Sequence, residues 1–256
     1  MRLQLIRNAT MKLSFAGRTI LTDPLLSPRF GFEAWANGPA NPIVELPLPV
    51  EEVLSGVELV LVSHLHKDHF DPAAQGPIDP TMPLLCQPGD GRTLRDKGFQ
   101  AARSFQGQEE WGGIILERTD GRHGRDHWLE RMGRVSGFVL KAEGEPIVYW
   151  AGDTVWCPAV AEAVGAHRPE VIITHSGGAR LEGGEPIIMD QEDTLEVCRA
   201  APWARVVAVH LEALDHCPVT RASLRALASD QGIGPKRLLI PEDGEVLDLS
   251  SQDPAD

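Results

Sequence analysis

Ser63-His64-Leu65-His66-Lys67-Asp68-His69-Phe70-Asp71 follows directly on Glu58-Leu59-Val60-Leu61-Val62, an apolar run of strand length. In extended backbone, residues two apart point the same way, so His64 and His66 present their imidazoles to one metal ion. Asp68 and His69 are adjacent, and in a turn their side chains leave in another direction, toward a second ion nearby. The spacing is not the His-Glu-x-x-His of a helical zinc site. The chain has only 9 histidines in 256 residues, so this cluster reads as a two-metal site rather than a polar loop.

The rest of the composition narrows the class. The length accommodates one domain with a well-buried core, and 42% hydrophobic with 24% charged residues is ordinary for a globular protein. A net charge of −13 repels a phosphate backbone and an anionic membrane alike, so neither nucleic acid nor membrane is an expected partner. No stretch reads as a signal peptide or reaches transmembrane length. Cys86, Cys157, Cys198 and Cys217 form no C-x-x-C pair, which points to reduced thiols in a cytoplasm.

Period-two patterns predict strands at Leu3–Leu5, Met11–Phe15 and Thr19–Leu21, with Asp23-Pro24 ending the third. Residues 24–49 hold six prolines and read as a long loop whose Phe30, Phe32 and Trp35 wall a substrate pocket. Beyond the histidine cluster, strands are expected near 82–86, 101–105 and 113–117, with a helix at 90–97. Val135–Lys141 and Pro146–Trp150 read as a hairpin around Glu143-Gly144-Glu145. Helices at 158–166, 190–200 and 220–230 then alternate with strands at 171–174, 206–209 and 237–240. No sequence repeat is visible, yet both halves carry strands and helices, which fits two face-to-face sheets with helices outside.

His64-x-His66-x-Asp68-His69 resembles the signature of the metallo-β-lactamase fold superfamily. The resemblance spans roughly residues 1–225 and implies an α/β fold, a four-layer αββα sandwich, with 1–256 as one domain. It also implies later ligands, each after a strand: His123 in Gly121-Arg122-His123-Gly124, Asp153 in Ala151-Gly152-Asp153-Thr154, and His210 ending Val206-Val207-Ala208-Val209. His127 competes in the same loop, and the resemblance favours His123. Thr19-Ile20-Leu21-Thr22-Asp23-Pro24, Gly152-Asp153-Thr154 and the stretch from His210 to His216 are similar to ascorbate-6-phosphate lactonase-like proteins. The N-acyl-phosphatidylethanolamine phospholipase D lies in a neighbouring branch. Asp23 is placed behind the ligands by the same comparison. Asn8 stands where the family often has a histidine, so specificity that depends on that histidine does not carry over.

In this reading His64, His66 and His123 hold one ion, Asp68, His69 and His210 hold another, and Asp153 bridges both. Zinc suits such donors best, with manganese, iron and nickel open. Two cations sharing a water bring its pKa near neutrality. The expected function is therefore binuclear metal-dependent hydrolysis of a small-molecule ester, lactone or phosphodiester. His175 and His216 lie near the ends of the converging segments, where either can protonate a leaving group or bind an anionic substrate. With Asp68 and Asp153 they complete the expected catalytic set. The expected partner is the small-molecule substrate, with self-association into a homo-oligomer allowed. A flavodiiron-type redox protein would carry a carboxylate at position 66 and a flavodoxin domain. A non-catalytic binding module would have lost ligands, and a nuclease would need basic surface.

Overall fold

A computed structural model describes residues 1–250 as two seven-stranded sheets packed face to face. The first sheet opens with the antiparallel strands β1 (Arg2–Arg7), β2 (Thr10–Phe15) and β3 (Arg18–Thr22). It continues in parallel through β4 (Leu59–Val62), β5 (Leu84–Cys86) and β6 (Ala102–Ser104). The second sheet repeats the plan. Antiparallel β7 (Gln108–Trp111), β8 (Ile114–Asp120), β9 (Ser136–Lys141) and β10 (Val148–Trp150) lead into parallel β11 (Val171–His175), β12 (Arg205–Val209) and β13 (Leu238–Leu239). The chain then returns to the first sheet, where β14 (Val246–Asp248) pairs with β1.

Strand parity sorts the core into layers. Leu59, Leu61, Val148, Trp150, Val171, Ile173, Val207 and Val209 pack between the sheets, while Val60 and Val62 face outward from β4. On β11 and β12, Ile172, Val206 and Ala208 turn instead to the helices α5 (Pro158–His167), α6 (Gln191–Ala200) and α7 (Arg221–Asp230). The shorter helices α1 (Val50–Leu54), α2 (Pro72–Gln75) and α3 (Asp90–Asp96) cover the first sheet. Burial on both faces is why β4, β11 and β12 are near-continuous apolar runs.

The expected strands and long helices form close to their expected bounds, and β9 and β10 make the expected hairpin. Asp190 caps α6 by accepting from Asp193 N. Three kinds of element escaped the sequence reading. The edge strand β7 alternates exposed and half-buried residues and is polar at all but Trp111, β14 is three residues long, and α1, α2 and α4 (Trp128–Met132) are single turns. Residues 24–49 form an irregular loop that is anchored at its base. Arg7, fully buried, donates to the carbonyls of Leu25, Ser27 and Val44 at 2.9, 2.7 and 3.1 Å. Among the described residues, no helix is long and apolar enough to cross a membrane.

Candidate metal centre

The candidate donors gather at one edge of the sandwich because strands of the same direction end there. β4 is followed by His64, His66, Asp68 and His69, β8 by His123, β10 by Asp153 and β12 by His210, while β11 ends on His175. Close backbone approach sets the turns. Gly152 sits at φ +69°, and a Cβ there would lie 2.6 Å from Ser136 O. At Gly177 a Cβ would lie 2.2 Å from the carbonyl of His210, so only glycine lets the two loops pass. His210 itself holds a left-handed φ of 62°, fixed by its N–H donating to Asn8 O at 3.0 Å.

Three histidines form the first group. His64 Nε2 lies 2.9 Å from His66 Nδ1, which lies 3.3 Å from His123 Nε2. The rear nitrogens are committed elsewhere. His123 Nδ1 donates to Ile187 O at 2.9 Å, and Ser63 Oγ takes the proton of His64 Nδ1 at 3.0 Å. The backbone of Met132 lies beside His66 and favours a proton on that ring. With the protons at the back, three lone pairs face one another and have nothing to bond to. A cation among them resolves that, since the edges of a tetrahedral zinc site are about 3.3 Å.

The second group is acidic. Asp68 Oδ2 lies 3.1 Å from His210 Nε2 and 3.3 Å from His69 Nε2, and Asp153 Oδ2 lies 3.1 Å from His69 Nε2. Asp23, buried behind this group, accepts from His69 Nδ1 at 2.6 Å, from Ser63 N at 2.7 Å and from Ser63 Oγ at 2.6 Å. One carboxylate thereby orients ligands of both groups, directly through His69 and through Ser63 to His64. Asp153 Oδ2 also stands 3.5 Å from His123 Nε2 and 3.8 Å from His64 Nε2, so it faces the first group too.

His175 sits deeper. Its Nδ1 is 2.5 Å from Asp153 Oδ1, and its Nε2 accepts from Trp150 Nε1 at 2.8 Å. The indole N–H can only donate, so the His175 proton is on Nδ1 and points at Asp153. His175 thus lies within reach of the second group, but its facing nitrogen carries a proton and offers no lone pair to an ion. The ring is fully buried and does not line the cavity, whereas the sequence reading expected a leaving-group or anion-binding role there. The cause is strand parity, which turns His175 toward the inter-sheet face beneath Asp153, as it does Val171 and Ile173.

Electrostatics separates the two groups. Burial pushes His64 well down and His123 down to about 4, so both are neutral, as ligands must be. Burial pushes Asp68 and Asp153 upward, but the neighbouring His69 and His210 more than reverse this and hold both carboxylates well below their ordinary range. His69, facing Asp153, Asp68 and Asp23, is raised well above the usual histidine value despite its burial.

A cavity of about 340 Å³ opens over the centre, with His66, Asp68, His123 and Asp153 at its floor. Trp35, Met132, Ala179, Leu181 and Ile187 supply apolar wall. His216, 7% exposed, stands in the wall with Nδ1 buried and without a hydrogen-bond partner. The two lining cations are already engaged: Lys67 with Glu33 at 2.6 Å, and Arg131 with Glu182 at 3.0 Å. Of the three loop aromatics, only Trp35 lines the cavity. Phe32 packs behind it with ring centroids 5.3 Å apart, and Phe30 lies outside, 48% exposed.

The structure thus brings His64, His66, Asp68, His69, His123, Asp153 and His210 together and leaves the competing His127 exposed beside α4. Asn8 is buried against Asp68, its side-chain N–H donating to the Asp68 carbonyl at 3.2 Å. Sequence reasoning missed the orienting roles of Ser63 and Trp150 and the walls supplied by Met132, Leu181 and Ile187. Of these only Ser63, beside the motif, gave a sequence signal.

The Beta-lactamase superfamily domain model matches residues 18–211. Over 252 residues, covering 96% of this chain and 98% of the relative, the sequence is 36% identical to UPF0173 protein YddR of Bacillus subtilis. A UPF0173 metal-dependent hydrolase of Xanthobacter autotrophicus is 26% identical over 69% of this chain and 72% of its own. Among solved structures, the isothiocyanate hydrolase from Delia radicum gut bacteria superposes with a TM-score of 0.92 at 36% identity, over 98% of this chain and 100% of that one. The donor geometry, the doubled sheet plan and these likenesses agree: the chain belongs to the beta-lactamase superfamily, as a metal-dependent hydrolase of the UPF0173 family.

Proposed function

We propose that this protein is a binuclear hydrolase acting on small, uncharged molecules that carry an electrophilic carbon and an apolar group. The observation that carries the reading is the position of Asp153 Oδ2, which faces both donor groups at the floor of an apolar-walled cavity. His64, His66 and His123 would hold one ion; Asp68, His69 and His210 would hold the other, with Asp153 between them. Two such ions, zinc first and manganese, iron or nickel as alternatives, would supply hydroxide near neutral pH and polarise the group attacked. Trp150 and His175 fix the outer oxygen of Asp153, and Asp23 fixes His69 and, through Ser63, His64. His216 stands where it can pass a proton to the departing nitrogen or oxygen.

Among the described residues, the two basic side chains lining the cavity, Lys67 and Arg131, are each paired with a carboxylate, which favours esters, lactones and heterocumulenes over phosphodiesters. Similarity to an isothiocyanate hydrolase puts isothiocyanates first among these. The unpaired state of all four cysteines supports a reducing, cytoplasmic setting. Neither nucleic acid nor membrane belongs to this reading. The test is elemental analysis of protein reconstituted with zinc or manganese, with hydrolysis assays on allyl and benzyl isothiocyanate, a γ-lactone, an aryl ester and an aryl phosphodiester. Two ions per chain and turnover of the uncharged substrates are expected. Stoichiometry held at one ion, or turnover confined to the phosphodiester, would overturn the proposal.

A further inference from the structure

The 24–49 loop reaches the cavity through Trp35, and the structure shows what holds that reach. Asp215 lies in the turn after His210, at the base of the wall that carries His216. Its Oδ1 accepts from Trp35 N at 3.0 Å and from Asn41 Nδ2 at 2.8 Å. Its Oδ2 accepts from Ala36 N at 2.8 Å and from Gly38 N at 3.3 Å. The clasp is reciprocal, because Asn41 Oδ1 accepts from Asp215 N at 2.8 Å. Ile43 N adds a bond to Ala213 O at 2.9 Å. Close fit excludes slack: a Cβ on Gly38 would lie 2.7 Å from Asp215 Cβ. Within this clasp the Trp35 indole meets the His216 ring edge-on, with centroids 5.0 Å apart and planes at 79°.

We infer that Asp215 is a positioning residue for substrate selection: by binding the backbone of residues 35–38 it holds Trp35 against His216 and so sets the width of the apolar cavity. Four donors converge on one carboxylate. A neutral amide in its place would keep one acceptor oxygen and turn an N–H₂ group toward donors that have no use for it. Backbone donors to an ionised acceptor are the stronger class of hydrogen bond, so this single group outweighs the other loop contacts at the tip. Asp215 touches none of the candidate metal donors. Its loss therefore alters how substrate is held and leaves the ions in place. The inference rests on the small-molecule reading of the cavity, with Trp35 as its wall.

The test compares wild-type protein with Asp215→Asn, using Asp215→Ala and Trp35→Ala as companions, all reconstituted with zinc. For Asp215→Asn the metal content should match wild type. KM for the bulkier benzyl isothiocyanate or aryl ester should rise about tenfold, equivalent to the loss of one or two good hydrogen bonds, while kcat changes less than about threefold. The selectivity between benzyl and allyl substrates should shrink in the same direction as in Trp35→Ala. Independently of any substrate, hydrogen–deuterium exchange at residues 35–38 should accelerate, with residues 63–69 unchanged. Unchanged exchange at 35–38 overturns the clasp. Faster exchange with unaltered KM and selectivity overturns the positioning role, as does a parallel fall in kcat and metal content. If wild type turns over no member of the panel, the proposed function fails. The exchange comparison then decides the clasp by itself, and Asp215→Ala serves if the Asn variant does not fold.

Discussion

The two donor groups are built from different materials. The three-histidine group is assembled from neutral rings, and the rear nitrogens of His64 and His123 rest on a hydroxyl and a backbone carbonyl. The Asp68–His69–His210 group contains carboxylates and is backed by another, Asp23. The first group therefore attracts an ion mainly through its lone pairs, which selects for softer, imidazole-loving metals. The second attracts through charge as well, and its charge must be neutralised for the fold to be at ease. Asp153 Oδ2 faces both groups, so in the proposed binuclear reading it would couple their loading. The contrast teaches that, if both groups hold an ion as proposed, affinity and selectivity need not reside in the same half of the centre.

The most severe way to break the comparison is to remove the shared group. Asp153→Ala should lose at least about 10⁴-fold in kcat on an identified substrate and fall below two ions per chain, as elemental analysis would show. Near-normal turnover would mean that the halves never needed a common ligand. Next, His216→Gln leaves both donor groups intact and should cost on the order of 10²–10⁴-fold in kcat at constant metal content. A loss of metal in that variant would place His216 among the ligands. To sharpen the contrast, Asp23→Asn and His175→Gln can be compared with Ser63→Ala. Asp23→Asn loosens His69 directly and His64 through Ser63, His175→Gln loosens Asp153, and each should weaken metal binding by about 10–100-fold. Ser63→Ala disturbs a neutral contact of His64 and should cost less. Competitive titration with a chromogenic chelator would rank them, and an equal loss in all three would erase the distinction. Mildest is the effect of full chelation: the melting temperature should fall by about 5–10 °C, recovering on addition of zinc, because bound ions favour the folded form over the unfolded chain.

Much of this centre was written locally. His64 through His69 follow an apolar strand, and a single window of sequence gives the turn, the donors and their directions. The later donors, His123, Asp153 and His210, became legible only through resemblance, since each is a lone residue at a strand end. His175 shows the limit of local reading. In sequence it resembles His210, a histidine closing a buried parallel strand, yet it faces Trp150 and Asp153 and never reaches the cavity. That difference depends on which face of β11 meets the other sheet, a property of packing and not of spacing. Among the loop aromatics, proline content revealed the loop, but nothing in it told Trp35 from Phe30. Their separation follows from the clasp at Asp215, more than 170 residues further along. The edge strands β7 and β14 were invisible for a simpler reason: they are short, and polar or half-exposed.

Each donor group draws from both sheets. His64 and His66 come from the first sheet and His123 from the second; Asp68 and His69 come from the first, Asp153 and His210 from the second. In kinetic terms, a completed centre cannot nucleate this fold. Neither sheet alone can present a full set of donors, and the contact of His210 with Asp68 closes a loop of 142 residues. Such a closure comes late, once local hairpins and the βα units on each side have formed. The first half of the chain therefore offers only the His64–His69 donors, and a complete set waits until the second half has docked. In refolding followed by stopped flow, zinc uptake should trail the recovery of secondary structure, making occupancy a sign of completed assembly rather than its cause.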